Sequence, residues 1–301
     1  MFRKISGFEI ESDIKELNSA VSTHFEWANR LIATALFRDP ADSKMTDSES
    51  HLHCHFSRWL NISLDLNDNQ ITGLDIIDAT HARMHEAMRL LLGSIQSSEE
   101  NRTGLEGYYT AQRAFLDAVD RYRSKLITLR NKHDSLTGLP LRQVMFTQFQ
   151  KIKEHARLNG KRLYITLFDI DYFKKFNDRY GHISGDALLR EMGSYLLFLA
   201  SNKEKVYRFG GEEFIFIHEF ENNEQFFSAL FRIREGLQSH LFINLFDTVN
   251  ITVTSGSCPV AAGETLQSLI EKADYTMSLG KEQGRGRALY NDHGLIKTVC
   301  K

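Results

Sequence analysis

The first part of the chain carries apolar side chains at alternating spacings of three and four positions, and this pattern stops at DSLTGLP (134–140). Such spacing puts the apolar side chains on one face of an α-helix. It occurs over residues 14–35, 74–95 and 105–129, and a shorter candidate helix lies near 48–60. Because each helix must bury its apolar face against another helix, these segments predict a four-helix bundle.

Beyond DSLTGLP, apolar runs of strand length alternate with helix-like patterns. This alternation favours an α+β domain over residues 133–301, after an all-α domain over residues 1–132. RLYITLFDI (162–170) has the continuous apolar character of a buried strand. KVYRF and EEFIFIHEF flank Gly210-Gly211, a pair that allows a tight hairpin turn. A further strand is predicted at VNITVTSGS (249–257).

Composition narrows the class of protein. The 301 residues include 37 basic and 39 acidic side chains, so the chain lacks the basic excess typical of nucleic-acid-binding proteins. It has no apolar run of about 18 residues, which predicts no membrane-spanning helix, and its N-terminus does not resemble a secretory signal. The cysteines Cys54, Cys258 and Cys300 are too few and too far apart for a disulfide framework. We expect a cytoplasmic protein.

Four carboxylates are predicted to lie near one edge of the sheet. Asp169 and Asp171 stand at the end of the strand 162–170, and Glu212 and Glu213 follow the hairpin turn. Side chains alternate along a strand, so only one glutamate is expected to share a site with Asp169 unless the turn bulges. Paired carboxylates repel each other, and a divalent cation relieves this cost. Mg²⁺, which combines a few protein carboxylates with substrate phosphates, suits such a site.

Cationic and amide side chains in the same half of the chain favour a nucleotide as the ligand. The chain turns sharply after the strand 162–170 into a short helix, where backbone N–H groups and Lys174 would attract an anion. Lys281 and Arg285 are four residues apart, so a helical turn places them on one face. Asn177 and Asp186 supply an amide and a carboxylate, which match the hydrogen-bonding groups of a guanine edge.

Four ordered pieces of the second half resemble the GGDEF family of diguanylate cyclases, in its GGEEF form. The pieces are DSLTGLP, FDIDYFKKFNDRYGHISGD, YRFGGEEF and ADYTMSLGKEQGRGR, and the resemblance covers about residues 134–290. It implies an antiparallel-centred sheet flanked by helices, similar to class III nucleotide cyclases. Leu141 and Gly286 stand where the family often has Asn, and neither departure removes an expected ligand.

The resemblance also implies roles for individual residues. Asp169, Glu212 and the Ile170 carbonyl would bind two Mg²⁺ (or Mn²⁺) ions, while Glu213 would support or deprotonate the 3′-hydroxyl of GTP. The remaining expected contacts with GTP come from Phe173 (through its backbone), Lys174, Lys281 and Arg285 at the triphosphate, from Asn177 and Asp186 at the guanine, and from His182.

The implied reaction joins two GTP molecules into cyclic di-GMP and releases two pyrophosphates. One chain supplies one site and the product needs two nucleotides, so a homodimer with apposed sites is expected. Residues 201–204 read Ser-Asn-Lys-Glu where many members carry an Arg-x-x-Asp pair, so no product-inhibition site is expected. The alternative function is a signalling protein whose GGEEF domain only binds GTP or docks a partner.

Three histidines and one cysteine interrupt the apolar faces of the first half. His24 lies on the face of the first helix, His81 and His85 lie four residues apart on a later one, and Cys54 lies between. A histidine on such a face is usually a core residue with satisfied hydrogen bonds, and a nucleophilic role is the other interpretation of Cys54. One tetrahedral Zn²⁺, bound by three imidazoles and one thiolate, would satisfy all four groups together.

The same segment resembles the chemoreceptor zinc-binding (CZB) family. The matching pieces are His24, CHFSRWL (54–60) and HARMH (81–85), with Ser57 where the family has Gly, over about residues 10–130. A zinc site with four protein ligands has no open position, so it would be structural or sensory. The neighbouring histidines, which we expect at the surface or in support of the site, are His51, His53 and His55.

The last helix of the bundle runs into DSLTGLP almost without a linker. Its uninterrupted apolar face either packs within the bundle or forms a partly dimeric stalk that transmits bundle geometry to the cyclase. Zinc changes activity only if it binds one dimer arrangement better than another. We expect zinc to inhibit the enzyme, because a closed tetrahedral site would make the bundle more rigid.

Overall fold

The computed structural model describes residues 6–37, 43–66, 71–97, 101–201, 204–243 and 248–299. The chain divides into two compact units, Met1–Asn131 and Lys132–Lys301. Cys300 lies outside the described residues. Among the described residues, no helix combines the length and apolar character needed to cross a bilayer.

The first unit is helical, as its apolar spacing predicts. Its elements are α1 (Gly7–Phe37), α2 (Ser43–Thr46), α3 (Ser50–His53), α4 (His55–Leu66), α5 (Leu74–Gln96) and α6 (Arg102–Arg130). The four long helices bury their apolar faces together, with Leu17 from α1, Ile77 from α5 and Phe115 from α6 almost fully enclosed. Helix α6 begins where the Asn101 side chain accepts a hydrogen bond from the Gly104 nitrogen at 2.6 Å, which satisfies a free helix donor.

The second unit alternates helices and strands, which confirms the α+β prediction. Its helices are α7 (Arg142–Leu158), α8 (Phe173–Tyr180), α9 (His182–Leu199), α10 (Asn223–Ser239) and α11 (Leu266–Glu282). Its strands are β1 (Arg162–Ile170), β2 (Glu204–Gly210), β3 (Glu213–Phe220), β4 (Phe242–Ile243), β5 (Thr248–Val249), β6 (Val253–Pro259), β7 (Ala288–Asp292) and β8 (Leu295–Thr298).

Within the described residues, six strands form one sheet in the order β2-β3-β1-β6-β7-β8. Neighbouring strands of this sheet are antiparallel, except for β6 and β7, which run parallel. The single strand predicted at 249–257 is instead two, because β5 pairs with β4 in a separate small sheet and β6 begins at Val253. Strands β4 and β8 were not predicted.

Both faces of the large sheet are covered by helices, so β1 is buried along nearly its whole length. Tyr164 and Phe168 of β1 face a cluster that includes residues of α9 and α10. Ile165 and Leu167 face the opposite side, against residues of α7 and α11. Side chains alternate along a strand, so Asp169 continues the row of Ile165 and Leu167 on the α11 side.

Gly256 of β6 allows α11 to lie unusually close to the sheet. A Cβ at this position would overlap the Ala273 carbonyl oxygen and the Met277 nitrogen, and would lie 2.9 Å from the Met277 Cα. These atoms belong to the helix backbone and cannot move away as the end of a flexible side chain can. The absence of a side chain at Gly256 therefore sets the distance between β6 and α11.

We expect Gly256→Ala to lower the free energy of unfolding by about 3 kcal/mol, because the added methyl group overfills a contact between two backbones. Gly211→Ala is the matched control, since a Cβ at Gly211 meets no atom within 4 Å. Urea denaturation followed by circular dichroism measures both variants. Equal stabilities for the two would contradict the close approach of α11.

Candidate functional site

Asp169 lies near the end of β1 and pairs in register with Glu213 of β3. Residues directly opposite each other in an antiparallel pair project from the same face of the sheet. Asp169 is 7% exposed, and burial raises the pKa of its carboxyl. The hydrogen bond and the charge of Lys281 oppose this rise, whereas the charges of Glu212 and Asp171 add to it.

Lys281 supplies the cation that these carboxylates face in the structure. It lies in the last turn of α11, and its Nζ is 2.9 Å from Asp169 Oδ2. Helix α11 packs on the face of the sheet from which Asp169 projects. The structure therefore brings together two of the predicted site residues that are more than 100 positions apart in the sequence.

The two glutamates do not divide between the faces of the sheet as the alternation argument predicts. Strand β3 begins at Glu213, while Glu212 belongs to the turn, so strand alternation does not govern the pair. Glu213 is the residue opposite Asp169, so the strand register sets Glu213 beside Asp169, and the β2–β3 pairing also shifts register between Arg208 and Gly210, the kind of irregularity for which the sequence argument left room. Burial raises the pKa of Glu213, and the charge of Asp169 raises it further.

The hairpin turn is held by Arg208, which sequence reasoning missed. Its Nε donates to the Gly210 carbonyl at 3.1 Å, and its Nη2 donates to the Gly211 carbonyl. Its Nη1 lies 3.5 Å from Asp134 Oδ1, in the DSLTGLP segment. Arg208 lies two residues before the first of the two glycines in the sequence, and a cation close to a turn with free carbonyl groups was the available signal.

Tyr172, in the segment after β1, lies against Arg285, which follows α11. Tyr172 has φ of 59° and Arg285 has φ of 63°, a left-handed conformation that is uncommon without glycine. The guanidinium carbon of Arg285 lies 4.7 Å from the centre of the Tyr172 ring. Helix α8 begins at Phe173, immediately after Tyr172, so Arg285 lies beside the start of that helix.

Asn177 and Gly185 meet where α8 packs on α9. A Cβ at Gly185 would overlap Asn177 Oδ1, so the amide occupies the space that the glycine leaves. Among the described residues, this buried Oδ1 has no hydrogen-bond partner. An unsatisfied buried acceptor costs free energy, so the site is suited to a ligand that donates a hydrogen bond.

The other predicted GTP contacts lie at the starts of α8 and α9. Phe173 is buried, whereas Lys174, His182 and Asp186 have exposed side chains. The charge of Asp186 acts on Arg208, as does that of Glu212, so Asp186 lies near the hairpin turn. No hydrogen bond or ion pair joins Lys174 or His182 to Asp169 among the described residues.

The structure describes only part of residues 201–204, the segment predicted to lack an Arg-x-x-Asp pair. Residues 202–203 lie outside the described residues, and Glu204 is fully buried. Glu204 Oε1 lies 3.3 Å from His218 Nδ1, and its Oε2 accepts a hydrogen bond from Arg232 Nη2 at 2.7 Å. The absence of a product-inhibition site stays a prediction.

In the first unit, His24, Cys54, His81 and His85 converge in the interior of the bundle. One candidate ligand atom from each of the four lies within 4.8 Å of the others, and all four residues are buried. Cys54 Sγ is 3.2 Å from His81 Nε2. Helices α1 and α5 supply the histidines, and Cys54 joins α3 to α4.

The protonation of this cluster follows from its burial. Burial lowers the pKa of His24 to about 4, that of His85 to about 3 and that of His81 to about 2. Burial also raises the pKa of the Cys54 thiol, against hydrogen bonds from Ser57. The imidazoles are therefore neutral at pH 7, the form in which histidine binds a metal.

The neighbouring histidines lie toward solvent. His53 and His55 have exposed side chains, and His53 Nε2 lies 3.3 Å from Asp47 Oδ2. His51 supports the cluster through its backbone, because its carbonyl accepts hydrogen bonds from Ser57 Oγ and, at 3.6 Å, from Cys54 Sγ. Ser57 contacts Cys54 through its hydroxyl at 3.2 Å.

Sequence comparison shows the family of the chain. The sequence model described as "Diguanylate cyclase, GGDEF domain" matches residues 131–287, more than half of the chain. Diguanylate cyclase DgcZ of Escherichia coli (strain K12) is 33% identical over 286 residues, which cover 94% of this chain and 95% of that relative. Diguanylate cyclase A of Treponema denticola is 28% identical over 69% of this chain and 57% of its own length. The chain belongs to the GGDEF family of diguanylate cyclases.

Structural comparison agrees with this assignment. The coiled coil and GGDEF domain of DgcB from Caulobacter crescentus, solved in complex with c-di-GMP, superposes with a TM-score of 0.54. It is 29% identical and covers 62% of this chain and 98% of that one. Diguanylate cyclase SiaD of Pseudomonas aeruginosa, solved with its activator SiaC, is 23% identical, with a TM-score of 0.50 over 78% of this chain and 97% of that one, and supports the fold alone.

We expect the metal-free bundle to lose stability as the pH falls below about 6.5. Folding lowers the pKa values of His24, His81 and His85, so the unfolded chain binds more protons in this range. The stability contributed by the three histidines is therefore fully present above pH 6.5 and is lost as the pH falls, by about 1.4 kcal/mol per pH unit for each histidine, down to about pH 4 for His24, 3 for His85 and 2 for His81.

Urea denaturation at pH 7, 6 and 5 in the presence of a chelator measures this loss. Tryptophan fluorescence isolates the first unit, because both tryptophans, Trp27 and Trp59, belong to it. His24→Phe should reduce the slope by roughly a third, since one of three titrating groups is removed. His55→Gln, which changes an exposed histidine, should leave the slope unaltered. A stability independent of pH from 7 to 5 would exclude neutral burial of the three rings.

Proposed function

We propose that this diguanylate cyclase condenses two GTP molecules into cyclic di-GMP across a homodimer, under the control of zinc bound to the helical bundle. The observation that carries the catalytic part is the convergence of Asp169, Glu213 and Lys281 at one edge of the sheet. Each chain has one such edge, and the product contains two nucleotides. Two chains with apposed sites therefore supply both substrates.

The carboxylate edge fits divalent metal ions. Asp169 is buried against other carboxylates, and in the structure it is paired with the ammonium group of Lys281. Oxygen ligands of this kind suit Mg²⁺ or Mn²⁺, and Asp169, Glu212 and the Ile170 carbonyl would hold the ions. Bound metal neutralises the charge that builds up on the transferring phosphoryl group.

The surrounding groups bind and orient GTP. Lys281 and Arg285, with Lys174 and the backbone at Phe173, hold the triphosphate beside the start of α8. Asn177 offers its unsatisfied Oδ1 to a donor of the guanine edge. Asp186 supplies a second acceptor for guanine and His182 an additional contact with the nucleotide.

Two phosphodiester bonds form in the reaction. The 3′-oxygen of each GTP attacks the α-phosphate of the other, and each attack releases pyrophosphate. Glu213 faces the same side as Asp169, and burial raises the pKa of its carboxyl. A carboxylate made more basic in this way is suited to accept the 3′-hydroxyl proton, so Glu213 acts as the general base.

We expect Asp169→Asn and Glu212→Gln to lower kcat by about a hundredfold or more, because each removes a carboxylate that would hold the metal. Glu213→Gln should lower kcat to a similar extent with little change in KM for GTP, because the base acts in the chemical step. Pure protein is incubated with GTP and Mg²⁺, and the products are separated by chromatography.

Glu271→Gln is the matched control, because it converts an exposed carboxylate of α11 to an amide. It should keep the activity of the unchanged enzyme. Cyclic di-GMP formation at the normal rate by the Asp169 variant would contradict the assignment of the site. A cellular effect that survives in the inactive variants would favour the binding function over catalysis.

The buried cluster of the bundle fits zinc. Three neutral imidazoles and one thiol lie within reach of a single ion, in a donor set that Zn²⁺ prefers. The residues that would hold it are His24, Cys54, His81 and His85. The Cys54 thiol must lose its proton on binding, and burial raises its pKa, so the affinity for zinc rises with pH.

The bundle can act on the cyclase through the chain that joins them. Helix α6 ends at Arg130, and the second unit begins at Lys132. Zinc would tie α1 and α5 to the segment that contains Cys54, and so restrict the arrangements of the bundle. Such a restriction shifts activity if two arrangements of the bundle, one more active and one less active, bind zinc unequally. We expect zinc to favour the less active arrangement.

We expect one zinc ion per chain, and a turnover of GTP that falls as buffered free zinc rises. Cys54→Ala should lose both effects, because it removes the thiolate ligand. Cys258→Ala is the matched control, since it removes a buried cysteine of the second unit. Atomic emission gives the zinc content, and product formation at set free zinc gives the response. Activity that rises with zinc would reverse the proposed sign, and a metal-free protein would refute the site.

A further inference from the structure

Three consecutive residues after α11 adopt the left-handed backbone conformation. Gly284, Arg285 and Gly286 have φ values of 110°, 63° and 62°. Glycine adopts this conformation freely, but in Arg285 the Cβ crowds the neighbouring backbone. A non-glycine residue persists there only where its surroundings hold it, so the contacts of this turn bear on how Arg285 is placed.

Asp171 supplies the main contact of the turn. Its Oδ2 accepts a hydrogen bond from the Gly286 nitrogen at 2.9 Å, although the two residues are 115 positions apart. The Thr252 and Thr254 hydroxyls donate to its two oxygens at 2.7 Å and 2.6 Å. Asp171 is only 7% exposed, so these bonds are sheltered from water.

The two threonines orient this carboxylate from β6 and the residue before it. The Asp171 nitrogen donates to the Thr252 carbonyl at 2.9 Å, which fixes the backbone of Asp171 as well as its side chain. Thr254 Oγ1 also accepts from the Gly286 nitrogen at 3.1 Å. Donors from Thr252, Thr254 and Gly286 occupy the carboxylate, so Asp171 is used as a structural acceptor and not as a fourth metal-site carboxylate.

The turn places the Arg285 guanidinium over Tyr172, the residue that follows Asp171. The guanidinium carbon lies 4.7 Å from the ring centre, and Tyr172 itself is left-handed with φ of 59°. Arg285 Nη1 also contacts the Lys281 carbonyl at 3.4 Å. Asp171 thus holds the backbone of the turn, and the adjacent Tyr172 supports the Arg285 side chain.

We propose that Asp171 is a positioning residue for GTP binding, which fixes the turn at Gly284–Gly286 so that Arg285 points at the triphosphate. The inference rests on the proposed function of Arg285. It predicts that loss of the Asp171 side chain weakens GTP binding through Arg285 and leaves the metal-binding carboxylates in place. The Asp171 carboxylate accepts hydrogen bonds and donates none, which suits its surroundings of one backbone amide and two hydroxyl donors.

A double-mutant cycle on the full-length enzyme tests this coupling. Arg285→Ala should raise KM for GTP about tenfold or more, with kcat changed by less than about threefold, because a charged contact to substrate is lost. Asp171→Ala should raise KM to a similar degree. The double variant should have a KM within about twofold of Arg285→Ala alone, because the two residues act as one unit. Melting temperatures report the folding of each variant.

The cycle separates a positioning role from a structural one. If the two KM effects multiply in the double variant, Asp171 does not act through Arg285 and the inference is overturned. If Asp171→Ala lowers kcat with KM unchanged, it is overturned as well. If Arg285→Ala alone has no effect on KM, the proposed role of Arg285 at the triphosphate fails, and the inference fails with it.

Asp171→Asn keeps the cycle usable if the alanine variant does not fold. The amide oxygen can accept from Gly286, and the amide nitrogen can donate to a threonine hydroxyl that turns to accept. This variant should show a KM between those of the unchanged enzyme and Arg285→Ala, and no further effect when combined with Arg285→Ala. Glu271→Ala, an exposed carboxylate of α11, should change neither constant.

Discussion

Carboxylates held close together in a partly buried site are the constraint on which the cyclase unit depends. Asp169 and Glu213 project from one face of the sheet, and the charge of Asp169 raises the cost of ionising Glu213, while the charges of Glu212 and Asp171 raise that of ionising Asp169. The structure balances them with Lys281, which reaches Asp169 from α11. That reach depends on how closely α11 lies on β6, and Gly256 sets this distance. The close packing of α11 on β6 in the core thus supports the ion pair between Lys281 and Asp169 at the edge of the sheet.

A related constraint shapes the bundle. Three imidazoles and a thiol lie inside an apolar core, where each prefers its neutral form. At the carboxylate edge of the sheet the buried groups are acidic and call for a cation, whereas in the bundle they are neutral and offer lone pairs. The first arrangement suits Mg²⁺ with a phosphorylated substrate, and the second suits Zn²⁺ as a permanent or sensed ligand.

Much of the fold could be predicted because its signals are local. The apolar spacing over residues 14–35, 74–95 and 105–129 predicts the long helices α1, α5 and α6, and the run at 162–170 matches β1. The split of the strand predicted at 249–257 could not be foreseen, because Thr252 is used there by Asp171, which lies far away in the sequence. Which glutamate lies opposite Asp169 could not be predicted for a related reason: Glu212 belongs to the turn, and β3 begins one residue later, at Glu213.

The sequence by itself determined which chemical groups are present and how they are ordered: a helical half with three histidines and a cysteine on apolar faces, then an α+β half with the motifs of the GGDEF family. The reason is that helix periodicity, turn residues and motif order depend on neighbours along the chain. Only the tertiary structure decided that Glu213 faces Asp169, that Lys281 is paired with Asp169, and that Asp171 holds the turn of Arg285. These contacts join residues tens to more than a hundred positions apart, so strand register and helix packing, which no local pattern encodes, are what create them.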